Sequence, residues 1–426
     1  MKKMIILICL LALFSCQKKA EAKVLNLRLT GLQQPEEKTF FRTFVKLFEA
    51  EHGIKVNVIY ESPLEAYDHI KAEVDDKDIQ TDVVMLDTAN LDKFMSSDYL
   101  EDVNYLDDLT DRTFVSSFDS YIKKDHKTYL ALVSYDVYLT LINKKALPYI
   151  PPSVDVVRNE YNEIVEIKEL SWQDLFFWAK RIKTETNQAK FGFPYGEVSS
   201  QLIYPLSGLS ASVDDYVLPS VSSIGFFKAM AYLQDLFEAD ALSYGPAFQS
   251  VTQPTTLLES GDLWLSYGHI GPIGNTYIEQ SEDYLITSAP KDKITNTRAT
   301  TAGAWGYALI KGHQNKESAK KWLTFMTDKE INYLYTTGLG GIISPIFEVT
   351  NELGSTSADL VMKAGLKMAD ESLVTLVVET KNYTSWDAVK HIYVDIYEDL
   401  LSGVYINQMY LDEKQEVLDA LLFKEG

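Results

Sequence analysis

The segment Phe48–Tyr60 reads FEAEHGIKVNVIY and decides the fold of the chain. Its beginning completes a helical pattern of phenylalanines, and Gly53 is a typical stop signal for that helix. The residues that follow alternate between apolar and polar side chains, as in a β-strand. A similar strand precedes the helix at 24–29, and a second helix and an apolar strand follow at 66–73 and 82–86. Strands and helices that alternate in this way predict a parallel sheet of the α/β class.

Polar residues come directly after each of these three strands. Gln33 and Gln34 follow the first strand, Ser62 follows the second, and Asp87 ends the third. Because ligands of open α/β sheets bind at the carboxyl ends of the strands, we expect these four side chains at one ligand-binding edge. For Asp87 a structural role is the alternative, since aspartate is a preferred N-terminal cap of helices.

Length and composition bound the class of protein. The chain has 426 residues, which is about twice an ordinary domain, and 46% of them are hydrophobic. Two lobes with sizeable cores are therefore expected. Its 40 Lys and Arg against 61 Asp and Glu give a net charge of −21. This balance argues against a basic nucleic-acid-binding face.

The N-terminal residues predict export and a lipid anchor. A short cationic start precedes ten apolar residues, fewer than the ~20 that span a bilayer. This run ends in LFSC at Leu13–Cys16, which resembles the lipobox of bacterial lipoproteins. We expect a signal peptide at 1–15 and a lipidated tether at 16–23 attached through Cys16; an ordinary secretory signal is the alternative. The other cysteine, Cys9, lies in the signal, so the exported chain would have no disulfide.

The sequence carries no recognisable catalytic or metal-binding motif. His-Glu-x-x-His, Gly-x-Ser-x-Gly, Cys-x-x-Cys and Gly-x-x-x-x-Gly-Lys are all absent from it. The six histidines are dispersed, without the spacing of metal ligands. We therefore predict a protein that is not an enzyme and that binds neither a metal nor a cofactor. A glycoside hydrolase stays open as an alternative, because its two carboxylates meet in space and leave no motif.

Several phrases resemble, in their order, one protein family. Residues 48–58 are similar to FExxxGIKVxV, 81–87 to PDVVxxD, 171–175 to TWDEL and 315–323 to NKEAAxxFL. The family is that of the extracellular solute-binding proteins of ABC importers, in the sugar-type group that includes maltose-binding protein. The resemblance covers nearly the whole mature chain. Two β-rich arms at 154–167 look like a hairpin inserted into this pattern.

The resemblance implies an α/β fold of two lobes that close on a ligand like a Venus flytrap. Each lobe is expected to hold a mostly parallel sheet flanked by helices. Residues 24–133 and 288–342 would form the N-terminal lobe, and 134–287 and 343–426 the C-terminal lobe. The three crossover segments between the lobes would lie near 132–136, 286–290 and 340–345.

The resemblance also implies which side chains reach the ligand. Trp386 begins a helix where relatives place a cleft aromatic residue, and Asp136 follows the first crossover where they place an acid. Trp305, Tyr195 and His269 lie in segments that approach the cleft in relatives. Core packing is the alternative for the two tryptophans, and an ordinary surface position for Asp136 and His269. The expected chemistry is that of a sugar site, where polar groups bind hydroxyls and aromatic faces cover C–H patches.

These observations predict a lipid-anchored solute-binding subunit of an ABC importer in the bacterial cell envelope, on the periplasmic or extracellular face. It would bind a mono- or oligosaccharide between the lobes and deliver it to the transmembrane permease. It is expected to act as a monomer, without contact to nucleic acid. Two other ligand classes stay open. Cleft acids could hold a polyamine, and Arg298, the one arginine near a family cleft segment, could hold the phosphate of a phosphorylated polyol.

Overall fold

Strands and helices alternate along most of the chain. The computed structural model describes residues 24–32, 34–194, 201–245, 248, 254–372, 374–377 and 382–422. The strands are β1 (Val24–Leu29), β2 (Lys55–Tyr60), β3 (Val83–Asp87), β4 (Leu100–Glu101), β5 (Lys123–Lys124), β6 (Lys127–Thr128), β7 (Ala131–Asp136), β8 (Tyr138–Asn143), β9 (Asp155–Arg158), β10 (Ile164–Glu169), β11 (Phe191–Gly192), β12 (Leu265–His269), β13 (Tyr284–Ser288), β14 (Ala299–Ile310) and β15 (Val374–Val377). The helices are α1 (Pro35–His52), α2 (Pro63–Asp75), α3 (Thr88–Ser96), α4 (Asp119–Ile122), α5 (Trp172–Thr186), α6 (Ile203–Val213), α7 (Ile224–Glu238), α8 (Pro254–Glu259), α9 (Ile270–Glu279), α10 (Lys316–Met326), α11 (Lys329–Gly338), α12 (Phe347–Thr350), α13 (Ser357–Glu371), α14 (Trp386–Leu401) and α15 (Gln408–Asp419).

The larger sheet contains the strands that the N-terminal sequence predicts. β1 pairs in parallel with both β2 and β3, which confirms the parallel arrangement expected from Phe48–Tyr60 and its neighbours. β14 runs antiparallel to β3 on one side and to β7 on the other. Trp305 of β14 lies opposite Asp87, and Gly303 lies opposite Asp136. The carboxyl ends of β3 and β7 therefore meet near the middle of β14.

The smaller sheet has the strand order β11-β12-β8-β13. β11 and β12 are parallel, whereas β8 is antiparallel to both β12 and β13. The expectation of a mostly parallel sheet in each lobe is therefore wrong for this sheet. The reason lies in the direction from which the chain arrives. β8 follows β7 after a single residue and so enters from the junction between the sheets, whereas β12 and β13 run toward that junction.

The chain passes between the two sheets at three places. It leaves the larger sheet at Val137, between β7 and β8, and returns through residues 289–298, between β13 and β14. The third passage begins where Ile343 exchanges two backbone hydrogen bonds with Tyr135, and it leads to α13, which packs on β8, α9 and β13. These places lie close to the crossover segments that the resemblance implies.

The predicted inserted hairpin is present. β9 and β10 pair in antiparallel fashion and form a separate two-stranded sheet. The hydroxyl of Thr287 in β13 donates a hydrogen bond to the carbonyl of Ile167 in β10. The hairpin is therefore attached to the smaller sheet without extending the sheet at that point.

Local sequence signals set the ends of the helices beside the larger sheet. Gly53 ends α1 in the left-handed conformation, with φ 66°, and its N–H donates to the carbonyl of Glu49. At the start of α2 the Ser62 hydroxyl accepts the N–H of Glu65, while the Glu65 carboxylate accepts the N–H of Ser62. This reciprocal cap satisfies two free donors of the first turn and determines where the β2–α2 loop ends.

An aromatic core holds α1 and α10 against the larger sheet. Trp322 of α10 is fully buried at its centre. Its indole ring contacts Phe48 edge-on with ring centroids 5.0 Å apart, and Phe41 and Tyr307 with centroids 5.9 Å apart. The three contacts come from α1 and β14, so Trp322 joins the helical layer to the central strand of the sheet.

We expect Trp322→Ala to lower the free energy of unfolding by about 3–5 kcal/mol, because it leaves a large cavity among aromatic rings that cannot all move inward. Phe177→Ala is the matched control, since the Phe177 side chain is 58% exposed and its loss should change stability by only about 0.5 kcal/mol. Urea unfolding of both variants measures the difference. A loss below about 1 kcal/mol for the tryptophan variant would contradict this core.

Candidate functional site

Polar and aromatic side chains from both sheets meet at the junction between them. Asp87 ends β3, Asp136 ends β7 and His269 ends β12. Tyr204 in the first turn of α6 and Trp386 in the first turn of α14 join them. We call these five residues the junction cluster. They lie on five separate elements, so the cluster exists only because the two sheets face each other.

Asp87 has the capping role considered for it and also lies near a second acid. Its Oδ1 accepts the backbone N–H of Asn90 at 2.8 Å and the Asn90 side-chain amide at 2.7 Å, so it caps α3. At the same time it lies within electrostatic range of Asp136. Burial raises the pKa of Asp87 above its ordinary value; the bonds from Asn90 oppose this shift, and the charge of Asp136 adds to it. The cap therefore holds a carboxylate that is partly desolvated beside a second acid.

Asp136 is held from both sheets. Its Oδ1 accepts the backbone N–H of Gly303 in β14 at 3.1 Å, and its Oδ2 lies 3.4 Å from Nε2 of His269 in the smaller sheet. The side chain is 15% exposed. Asp136 itself belongs to β7 and so to the larger sheet. It is therefore an acid of the larger sheet that a side chain of the smaller sheet contacts.

His269 connects the junction cluster to a helix. Its Nδ1 accepts the backbone N–H of Gly271 at 3.0 Å, which makes the ring the N-terminal cap of α9. Since Nδ1 is an acceptor in this bond, the proton of the neutral ring lies on Nε2, the nitrogen that faces Asp136. The ring of Tyr138 stands edge-on to the imidazole, with centroids 5.6 Å apart.

The aromatic side of the cluster is formed by Trp386 and Tyr204. The indole N–H of Trp386 donates to the Tyr204 hydroxyl at 3.4 Å, and Tyr383 packs against the indole with centroids 5.7 Å apart. Burial raises the pKa of Tyr204, and the charges of Asp87 and Asp136 act in the same direction. The hydroxyl is therefore a neutral donor within electrostatic range of both acids. Sequence reasoning missed Tyr204, because no motif in the surrounding sequence marks its position.

Trp305 lies beside the cluster on β14. Its residue pairs with Asp87 across the sheet, and its six-membered ring lies against Gly31, just after β1. A Cβ added at Gly31 would be only 2.8 Å from the indole, so a glycine is needed there. Trp305 thus lies opposite the end of β3, with its ring against the chain after β1.

The remaining sequence candidates have other positions. Ser62 is exposed and its hydroxyl bonds with Glu65 in the cap of α2; the N–H of the exposed Gln34 donates to the Glu37 carboxylate at the start of α1. Both residues therefore bond with groups in the first turn of a helix. Gln33, Tyr195 and Cys16 lie outside the described residues.

Arg298 is engaged in the structural frame. Its guanidinium pairs with Glu371 and with Glu169, and its Nε donates to the carbonyl of Ala289 at 2.9 Å. The residue is 7% exposed. The arginine on which a phosphate-binding site would depend is therefore neutralised by two carboxylates.

The described residues contain neither a candidate metal site nor a candidate membrane-spanning helix. No group of three or more histidine, cysteine, aspartate or glutamate side chains is arranged to hold a metal ion. In the same part of the chain, no helix combines the length and apolarity that crossing a membrane requires.

Solved structures with this fold are two-lobe solute receptors. The GacH receptor of Streptomyces glaucescens, solved with acarbose, aligns with a TM-score of 0.71 and 16% identity over 94% of this chain and 98% of that chain. Maltose-bound MalE3 of T. maritima aligns with a TM-score of 0.71 and 16% identity over 94% and 100%. An ABC transporter solute-binding protein of Agrobacterium vitis S4 with bound D-mannitol aligns with a TM-score of 0.70 and 13% identity over 95% and 100%. The predicted two-lobe α/β fold is confirmed.

The sequence match is consistent with this class of protein. The family model of the bacterial extracellular solute-binding proteins matches residues 43–366, which is more than half of the chain. The chain therefore belongs to the bacterial extracellular solute-binding protein family, as its sequence phrases indicate. A search of curated proteins found no significant match.

We expect Asp87→Asn to stabilise the protein at neutral pH. A carboxyl whose pKa is raised on folding contributes stability below its unfolded value, about 3.9, and loses it as the pH rises through the folded value. Asparagine caps helices as well as aspartate does and carries no charge. The gain of the variant in free energy of unfolding should therefore be near zero at pH 4 and grow toward pH 7, as measured by urea unfolding.

Asp68→Asn in α2 is the control for this pH series, since Asp68 is exposed. Its unfolding free energy should follow that of the unmodified chain at each pH. A gain for Asp87→Asn that is the same at pH 4 and pH 7 would contradict a desolvated carboxylate.

Proposed function

We propose that this protein is the solute-binding subunit of an ABC importer and that it binds a carbohydrate or a related polyol between its two lobes. The observation that carries the proposal is the junction cluster, in which acids and aromatic rings from five elements converge where two sheets face each other. Membership in the extracellular solute-binding family supports this place for the site. The protein would bind its solute without chemical change.

The cluster suits a polyhydroxylated ligand. Asp87 and Asp136 offer carboxylate oxygens as acceptors for hydroxyl groups, and the Tyr204 hydroxyl, which accepts from Trp386, still has its own proton to donate. The indoles of Trp386 and Trp305 can cover the C–H faces of a sugar ring. Relatives of the same fold were solved with acarbose, maltose and D-mannitol, which are all rich in hydroxyl groups.

Closure of the two lobes would exclude water and strengthen these bonds. The proposed lobes are residues 24–133 with 288–342, and 134–287 with 343–426. Asp87 and Trp305 belong to the first of these lobes, whereas Tyr204 and Trp386 belong to the second. A ligand between them would contact both lobes and would favour the closed state, because it makes more contacts in that state than in the open one.

The test is a ligand screen by thermal unfolding of the exported chain, from residue 17 onward, with sugars, polyols, polyamines and phosphorylated sugars. A ligand that binds the folded state alone adds ~2.7 kcal/mol at a hundredfold excess over its dissociation constant. We expect a shift with one class of neutral sugar or polyol. Shifts with polyamines or phosphorylated sugars alone would replace the carbohydrate proposal, and turnover of a glycoside would replace the binding protein by a hydrolase.

We expect Trp386→Ala to weaken the binding of the sugar found in this screen by one to two orders of magnitude. Loss of an indole face removes about 1–3 kcal/mol of contact. Trp264→Ala is the matched control, because Trp264 is a partly buried tryptophan that precedes β12 at the end opposite His269. Titration calorimetry compares the two. Equal affinities for both variants would exclude Trp386 from the site.

The same proposal includes a lipid anchor at Cys16 that holds the protein near its permease on the outer face of the membrane. It is supported by the LFSC sequence at Leu13–Cys16 and by the short polar segment before β1. In a bacterial host, the full-length chain should partition into the detergent phase and take up labelled fatty acid. Cys16→Ser should lose both properties, whereas Cys9→Ser should keep them. A lipid-free wild-type chain in that host would indicate an ordinary secretory signal.

A further inference from the structure

Both ring nitrogens of His269 face protein groups in the described structure. Nδ1 accepts the N–H of Gly271 at 3.0 Å, and Nε2 faces Oδ2 of Asp136 at 3.4 Å. A side chain that binds a solute needs a free donor or acceptor. The imidazole therefore has the contacts of a bridge between two parts of the protein rather than those of a ligand-binding group.

The end of the bridge in the smaller sheet is rigid. His269 caps α9, and the first turns of this helix pack directly on the segment after α11. A Cβ at Gly274 would lie 1.8 Å from the carbonyl oxygen of Gly340, and one at Gly340 would lie 2.6 Å from the carbonyl oxygen of Gly271. This backbone-to-backbone contact leaves the start of α9 little freedom to move. Edge-on contact with Tyr138 restrains the ring of His269 in addition.

The other end of the bridge reaches the acid of the larger sheet. Asp136 receives the Gly303 N–H on Oδ1, and its neighbour Tyr135 exchanges two backbone hydrogen bonds with Ile343, close to Gly340 along the chain. Asp136 thus contacts His269 at the start of α9, α9 packs on the 340–343 segment, and this segment bonds with β7. The Gly303 amide donates to Oδ1 of the carboxylate, and Nε2 of the imidazole faces Oδ2 at 3.4 Å.

From this arrangement we infer that His269 is a positioning residue: it orients the carboxylate of Asp136 for the solute and does not itself bind the solute. The role of Asp136 toward a solute rests on the proposed function. The orientation of Asp136 by His269 does not, so the two can be tested apart. This inference replaces the sequence-based expectation that His269 is a direct ligand contact.

Two substitutions separate the two ends of the bridge. In His269→Asn the side-chain oxygen occupies the place of Nδ1 and keeps the cap, but nothing replaces Nε2. In His269→Gln the amide nitrogen can take the place of Nε2 and face Asp136, while the cap is lost. Hydrogen exchange of the Gly303 and Gly271 amides, followed by NMR without any ligand, reports on the two ends. Both variants are compared with the unmodified chain.

We expect His269→Asn to speed the exchange of the Gly303 amide at least tenfold and to leave Gly271 protected, because the freed Asp136 side chain no longer holds Gly303. His269→Gln should show the reverse. In the background of Asp136→Ala, His269→Asn should have no further effect on Gly303. Unchanged Gly303 exchange in His269→Asn would overturn the inference.

Affinity for maltose and for D-mannitol gives the second measurement. His269→Asn should weaken binding of the probe that binds about tenfold, because a misoriented carboxylate loses its charged hydrogen bond to the solute, and His269→Gln should restore it to within about threefold. Equal weakening by both variants, with Gly303 exchange unchanged, would make His269 a direct ligand contact. If neither probe binds the unmodified chain, the proposed carbohydrate function fails on these probes, and the exchange experiment alone decides the role of His269.

Discussion

The hydrogen bonding of β14 between β3 and β7 is the constraint on which the rest of this structure depends. β14 enters from the junction between the sheets and runs antiparallel to both neighbours, whose carboxyl ends therefore meet near its middle. Asp87 and Asp136 lie at those two ends, opposite Trp305 and Gly303. One strand thus places two acids and an indole together. A shift of its register by one residue would turn Trp305 to the other face of the sheet.

Electrostatics gives this place its chemical character. Lost hydration on burial raises the pKa of Asp87, and repulsion from the carboxylate of Asp136 adds to this shift. The protein offsets this cost locally. Asp87 lies at the positive end of the α3 dipole with two bonds from Asn90, and Asp136 accepts the Gly303 amide and faces the N–H of His269. The result is a pair of oriented acceptors next to two indoles and a phenol.

Glycine contacts join this site to the passages of the chain between the sheets. Gly274 and Gly340 approach so closely that neither could carry a side chain, and Gly340 has a left-handed φ of 83°. The start of α9, and with it His269, is therefore held by the third passage. A change in the angle between the sheets would act on the same contacts that orient Asp136. The candidate solute site and the chain passages between the sheets thus share one set of contacts.

Features that depend on neighbours along the chain could be predicted from the sequence. The alternation around Phe48–Tyr60 specified β1, α1 and β2, Ser62 and Gly53 specified helix ends, and the two β-rich arms specified the hairpin at 154–167. The family could be recognised because its phrases are local and recur in a set order. Asp87 could be proposed for the site because strand ends of an α/β sheet are predictable positions, and Trp305 could be proposed from the family resemblance.

Which of the candidate residues lie together depends on contacts between distant segments of the chain. Asp136 and Gly303 are 167 residues apart, and Trp386 and Tyr204 are 182 residues apart, so no local pattern reports their contact. The antiparallel direction of β8 depends on where β7 ends in space. The position of His269 depends on the packing of α9 against Gly340. Tyr204 joins the site through helix placement alone. Propensity and periodicity act over a few residues, whereas a site between two lobes is set by packing and hydrogen bonds between distant segments.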